Sequence, residues 1–331
     1  MLGYGFSHAG GPEVIDAIDL ATPAPGPQEI QIKSQAIGLN NRDRIARQMG
    51  GSGLTVPGYD VAGIVSAVGD QVTQFALGDR VVARTTSAYA ELVTAAADMS
   101  VLLPESITPE NGVALITPGV TGYRMVELGH IHDGDTVIVK GASGGVGSAA
   151  IQLAVARGAS VIGIGASRHE VDVNQLGVEH FVAYDRGNPV KELAKTADVV
   201  INAAMDGIGG DDDVAMAKDN GLIVSVSHHE PLLNRGIRFL HTRPLGGSEV
   251  GQALKVLINL MSQGKLTVKV GYVLPFTREG FVKGHQLLDE PHEGRIVIQV
   301  TPYRVCFLAR AANGFVTLSV LACCHHKPVV V

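Results

Sequence analysis

Asp135-Thr136-Val137-Ile138-Val139-Lys140-Gly141-Ala142-Ser143-Gly144-Gly145-Val146-Gly147-Ser148-Ala149-Ala150 reads as an apolar strand, a glycine-rich turn and the opening of a helix. Such an order of parts presents backbone N–H groups at a helix N-terminus, where a pyrophosphate can sit. Read as G-x-G-x-x-G, the register 142–147 has alanine in its first place. The glycines instead fall three apart, at Gly141, Gly144 and Gly147. Gly144 lets backbone approach a phosphate, and Gly147 lets the helix pack close to the sheet. Gly141, Ser143, Gly144, Gly145, Val146 and Gly147 are the candidate contacts, and Ala149, Ala150 and Ala154 support the helix that follows.

Downstream, strand and helix patterns alternate. Ser160–Gly165, Phe181–Ala183, Asp198–Asn202 and Leu222–Val226 read as strands, with helical patterns over Pro189–Lys195 and Asp213–Lys218. That succession requires a parallel, doubly wound α/β sheet with right-handed crossovers. Ligands on such sheets bind beyond the carboxyl ends of the strands, which places Asn202, Ala203, Val226 and Ser227 beside a bound dinucleotide's reactive ring. The second strand of the unit ends in Ala166-Ser167-Arg168-His169 rather than in an acid. Hydroxyl and guanidinium groups suit a 2′-phosphate, so NADPH is the expected cofactor, with Ser167, Arg168 and His169 as its ligands. Glu170 follows at once, and an ordinary solvated helix start is the plain alternative for Arg168. Asp211-Asp212-Asp213 reads as acids complementing a helix dipole, and His228-His229 as a polar loop.

Upstream, the pattern changes. Glu29–Ser34 alternates polar and apolar residues, Val61–Val68 is a strand ending at Gly69-Asp70, Gly78-Asp79 opens Val81-Val82, and Tyr89–Val93 gives another short strand. Many short strands at close spacing point to an antiparallel barrel. Pro118-Gly119-Val120-Thr121 reads as the start of the helix entering the second half.

Gly10-Gly11-Pro12-Glu13-Val14, Gly38-Leu39-Asn40 with Asp43, Pro57-Gly58-Tyr59-Asp60-Val61-Ala62-Gly63 and Gly78-Asp79-Arg80-Val81 occur in an order that resembles the medium-chain dehydrogenase/reductase superfamily. Within it, the chain resembles the zinc-independent, zeta-crystallin-like quinone oxidoreductase branch, from about Gly10 to Val300. The resemblance implies a GroES-like barrel domain from residues 1–115 and 251–300, a Rossmann domain over 116–250, and a C-terminal extension, 301–331, outside the family pattern. Zinc-dependent relatives carry histidine where this chain has Tyr59, and a cysteine near Asn40. Neither is present, so the resemblance implies chemistry without zinc. It also places Tyr59 and Asn40 in the cleft as the catalytic pair, Thr121 beside the cofactor, and Tyr184 near the 2′-phosphate. Packing against the barrel edge is the alternative for Tyr59, an Asx turn for Asn40, and a helix-start role for Thr121. Arg42 and Asp43 read as a surface or structural pair.

The activity implied is hydride transfer from NADPH to a quinone, enone or enal. Alternatives are an enoyl-thioester reductase and a non-catalytic NADPH-binding or structural protein. A homodimer joined at the sheet edge Gly236–Leu240 is a further implication of the family.

Composition narrows the field. The 331 residues carry a net charge of −6 and 41 glycines, against roughly 23 at average usage, as many tight strand connections require. There is no basic block for nucleic acid, and Val305–Cys324 is interrupted by Arg310 and Asn313 and so makes a poor membrane span. The 3 cysteines all lie after Val305, so no disulfide framework holds the main body, and no secretory signal opens the chain. A cytoplasmic protein acting on a small molecule is the resulting expectation. Cys323-Cys324-His325-His326 has metal-ligand residue types without zinc spacing.

Overall fold

The computed structural model describes residues 1–300, the side chain of Asp206 excepted, and the backbone of strands Val305–Ala312 and Phe315–Ala322, which pair antiparallel. The rest of the extension, including Cys323, Cys324, His325 and His326, lies outside the described residues.

The quoted strand, Thr136–Lys140, lies in the middle of a six-stranded parallel sheet. Ser160–Gly165 and then His180–Ala183 lie to one side, and Ala197–Asn202, Ala217–Ser225 and Arg238–His241 to the other. Val137, Val139 and Ile201 enter one core cluster and Ile138, Val200 and Ile223 another. Successive side chains thus go to opposite faces, both covered, which explains the nearly unbroken apolar runs. Strand order reverses between Thr136–Lys140 and Ala197–Asn202, so the glycine turn sits at the switch point of the sheet.

The second sheet has seven strands, with Glu29–Leu39 as its spine. Asp60–Val68 pairs along one edge. On the other, Leu92–Ala96 covers the first half and Arg295–Gln299 the second, so the last strand of the described body returns to the first long one. One face, with Ile30, Ile32, Ile37, Val61 and Phe281, forms a core of its own, while Ala36, Ala62, Val82 and Val297 join the cluster that the long helix shares with the parallel sheet.

Among the boundaries that differ from the sequence reading, three have a clear physical reason or consequence. The expected strand Tyr89–Val93 is displaced to Leu92–Ala96, because Tyr89 is drawn into the core against Phe281. The expected helix Asp213–Lys218 is Gly210–Met216, and Lys218 already belongs to the following strand. The helix expected to start at Pro118 runs from Pro109 to Leu128. Thr108 caps it by accepting the Asn111 N–H at 3.2 Å, and Pro109 occupies the first position, where a missing N–H costs nothing. Pro118 sits in its interior. This 20-residue helix is buried on most sides and packs against both sheets. The expected domain limits at 115/116 and 250/251 fall inside it and inside the helix Ser248–Ser262.

Among the described residues, no helix is long and apolar enough to cross a membrane.

Candidate active site

The glycine turn is shaped by backbone contacts. Gly141 has φ +72°, and a Cβ there would press on the backbone of Ala203 and Ala204, at the end of the neighbouring strand. At Gly147 a Cβ would overlap the carbonyl of Gly141. Gly144 differs: its φ is −74°, and a Cβ would meet only the Gly141 oxygen, at 3.3 Å. It faces open space. Gly144 also caps the helix Gly145–Val155, which has no side-chain cap and no acid in its first turn. The orphan N–H groups and the dipole of that helix are therefore left for an external anion. A dinucleotide's pyrophosphate fits this cradle, with Ser143 to Gly147 around it.

Beyond Ser160–Gly165 the picture changes. The Asp185 carboxylate accepts both the Ser167 N–H, at 2.8 Å, and its hydroxyl, at 2.9 Å. Those two bonds hold the Asp185 carboxyl below its usual range. The reading of Ser167 as a phosphate ligand passed over this acid, which follows Tyr184 in sequence. Arg168 Nε donates to His169, Arg186 pairs with Glu170 at 3.3 Å, and Tyr184 is exposed.

At the switch point, Asn202 is fully buried. Its amide donates to Asp213 at 2.6 Å and accepts the Ala204 N–H at 3.2 Å. Lys140 also reaches Asp213, at 2.6 Å, and the carbonyls of Ile208 and Gly209. Burial pushes the Asp213 carboxyl up to about 6, against the pull of Lys140. Asp213 does lie with Asp211 and Asp212 in the first turn of the helix Gly210–Met216, as the sequence reading had it, and it also pins the 203–210 loop from the interior. Ala203 is half-buried at the loop's start, and Ser227 donates its N–H to Ser225 at 3.0 Å.

A cavity of about 270 Å³ opens further along the same sheet edge. Thr117, Val120, Thr121 and Arg124, one face of the long helix, form one wall. Val226, Thr242 and the His228–His241 pair, whose rings lie 3.7 Å apart, form another. Arg42 and Arg84 enter from the second sheet's side. Thr121 donates its hydroxyl to the Thr117 carbonyl at 2.8 Å, the bond of a helical threonine, and its side chain still borders the cavity.

Tyr59 does not line this cavity; it reaches it through Arg42, whose guanidinium lies over its ring at 4.5 Å. Its hydroxyl has no protein partner among the described residues. Asn40 does not line the cavity. It is buried, donating to Asp60 at 3.0 Å and accepting from Arg295 at 2.6 Å. Asp60 in turn accepts the Thr117 hydroxyl at 2.6 Å, tying the second sheet to the long helix. Burial raises the Asp60 carboxyl. Asp43 is not paired with Arg42; it is buried and accepts the N–H groups of Asn40, at 2.8 Å, and Gly58, at 3.2 Å. The sequence reading missed Asp60, Arg124 and Arg295. The spacing of Thr117, Thr121 and Arg124 on one helical face was a usable signal for the second of these.

Among the described residues, no group of three His, Cys, Asp or Glu side chains is placed to hold a metal.

A largely antiparallel sheet completed by a late strand, joined through one long helix to a parallel sheet with a glycine turn at its switch point, defines the two-domain dehydrogenase/reductase class. Residues 26–105 match the alcohol dehydrogenase GroES-like domain, and residues 145–257 match the zinc-binding dehydrogenase family. The chain belongs to the medium-chain dehydrogenase/reductase superfamily, in its quinone oxidoreductase branch. It is 33% identical to a quinone oxidoreductase of Sus scrofa over 238 residues, 67% of this chain and 72% of that protein. It is 36% identical over 204 residues to the synaptic vesicle membrane protein VAT-1 homolog of Homo sapiens, 58% of this chain and 51% of the other. The chain thus spans about half the length of the VAT-1 homologs it matches. A mycobacterial protein solved in complex with NADPH matches at 25% identity with a TM-score of 0.77, over 90% of this chain and 100% of that one.

Proposed function

We propose that the chain is an NADPH-dependent oxidoreductase that reduces a quinone or an activated C=C bond, as in an enone or enal, without zinc. The observation that carries this reading is the helix start at Gly144–Gly147, without a side-chain cap, at the switch point of a sheet in which the strand ends two and three places along border a cavity. The dinucleotide supplies hydride when bound. The turn N–H groups hold its pyrophosphate, Arg168 and Tyr184 receive its 2′-phosphate, and Thr121 and Val226 border the ring site. Tyr59, held under Arg42 with its hydroxyl unspent, donates a hydrogen bond to the acceptor's carbonyl oxygen and delivers the proton there. The small cavity favours a compact acceptor over a long acyl thioester.

The bond network at Ser167 favours a second reading of cofactor choice. Asp185 is an acid at the ribose end, and it would hold a 2′-hydroxyl and repel a 2′-phosphate. Binding titrations decide between the two. With NADPH as cofactor, Arg168→Ala weakens NADPH at least tenfold more than NADH, while Asp185→Asn tightens NADPH. With NADH as cofactor, Asp185→Asn weakens NADH and Arg168→Ala changes both ligands alike. Oxidation of NADPH or NADH with a panel of quinones, enones and enals tests the activity, and turnover of none of them would remove it.

A further inference from the structure

The cavity that Tyr59 meets through Arg42 gathers four arginines, Arg42, Arg84, Arg124 and Arg243, and no carboxylate lines it. The chain as a whole is acidic, with 26 Lys and Arg against 32 Asp and Glu, so this is a local reversal of charge. Several buried or half-buried cations elsewhere pair with acids: Arg47 with Asp289 at 2.6 Å, Lys140 with Asp213 at 2.6 Å. None of the four arginines of the cavity does so among the described residues. Arg42 lies on Tyr59, and Arg84 reaches only the Leu245 carbonyl, at 3.3 Å. Arg124 and Arg243 have no hydrogen-bond or ion-pair partner among the described residues, and the Arg124 Nε is buried without one. Arg42 and Arg243 are exposed at the rim, Arg84 and Arg124 are half-buried, and the buried Arg124 donor left unpaired is costly. An oxyanion relieves that penalty, and the planar fork of arginine binds one in two parallel bonds.

The cofactor's phosphates are placed elsewhere. The glycine turn ends the strand Thr136–Lys140, whereas the cavity lies at the ends of Ala217–Ser225 and Arg238–His241, two and three places along the sheet. At about 4.8 Å per strand those strand ends lie about 10–14 Å from the turn, and the helix wall that carries Arg124 turns a different face, Pro118 and Gly122, to Gly145 and Val146. The 2′-phosphate site lies in the opposite direction, beyond Ser160–Gly165. An anion in the arginine recess therefore belongs to the second substrate.

We propose that the acceptor reduced here carries a carboxylate, seated by Arg124 and Arg243 while its carbonyl oxygen meets Tyr59. This rests on the function proposed above and names its substrate class: a compact quinone or enone bearing an acid group.

The test compares an enone acid with its methyl ester, and a quinone carboxylate with its ester, so that the reducible group is constant. The expected result is a kcat/KM at least tenfold higher for each acid, with a KM that rises with ionic strength. Arg124→Gln, and independently the rim variant Arg243→Gln, should bring the acid-to-ester ratio towards one. Calorimetric binding of a saturated, non-reducible acid and of its amide, with cofactor present, reads the recess without turnover. Equal kcat/KM for acid and ester, or equal affinity for saturated acid and amide, would overturn the proposal. So would an Arg124→Gln variant that weakens the cofactor as much as the acid, because the recess would then serve the cofactor. A phosphonate acceptor preferred over the carboxylate would overturn the carboxylate assignment. If no acceptor is turned over, calorimetry still decides the anion recess, so failure of the activity and failure of this inference remain distinguishable.

Discussion

Two buried ionisable side chains of the first-translated half and its closing helix are shifted in opposite senses. Burial pushes the Asp43 carboxyl up to about 7, helped by Asp60 and opposed by the N–H bonds from Asn40 and Gly58. Between its ordinary 3.8 and about 7 the folded chain keeps a proton that the unfolded chain releases. The Asp43 contribution is therefore complete at low pH and lost as pH rises through 7. Burial, with the Arg47 charge, pushes His285 down to about 3. The folded chain then stays neutral where the unfolded chain protonates below 6.5, so this contribution is present above 6.5 and lost as pH falls. Measured against His285→Gln, the wild-type protein should lose denaturant stability from pH 6.5 to 4.5, by at most about 1.4 kcal/mol per pH unit. A gap between the two proteins that is constant with pH would refute the depressed imidazole. Asp43→Asn should cost about 1–3 kcal/mol by turning an amide N–H towards a backbone donor, and its stability should fall less from pH 5 to 8.

At the scale of the element, the glycine turn separates folding from binding. An alanine at 147 must displace the Gly141 carbonyl, so Gly147→Ala should lower Tm by about 2–10 °C, an overpacking cost of about 1–3 kcal/mol. Gly144 has an ordinary φ and open space before it. Gly144→Ala should keep its Tm and lose dinucleotide affinity, which calorimetry beside a melting curve resolves. This turn was legible because strand, turn and helix are contiguous and each signal is local. Asp185 was not. It meets Ser167 only because the strand His180–Ala183 pairs in register with Ser160–Gly165, and no local pattern reveals that meeting. The interior position of Pro118 was hidden for a related reason. Proline favours helix starts in isolation, and the packing that holds the helix on both sides of it comes from other segments.

For the whole molecule, fold class followed from alternation in one half and short strands in the other, while the cavity did not. Its arginines come from four separated segments, and only Arg124 shares a helical face with a residue already under suspicion. Among the described residues, Arg238–His241 is the outermost strand of the parallel sheet, paired only with Ala217–Ser225, and it overlaps the segment 236–240 through which the family resemblance implies a dimer. An open edge of this kind invites pairing with another chain. Leu240→Pro should then shift the protein to monomers in sedimentation without unfolding it; an unchanged sedimentation coefficient would set this edge aside.

The pairing of Arg295–Gln299 with Glu29–Leu39 has a consequence for synthesis. Leu39 meets Ile296, and Ala36 meets Gln299, at nearly the other end of the described body. At about 5–20 residues per second, the ribosome leaves half an edge of the spine strand without its partner for roughly 13–50 s. The second sheet, first to be translated, is the last to be sealed. A nascent chain arrested before residue 295 should be cut readily by protease within 29–39, and one released after 300 should resist.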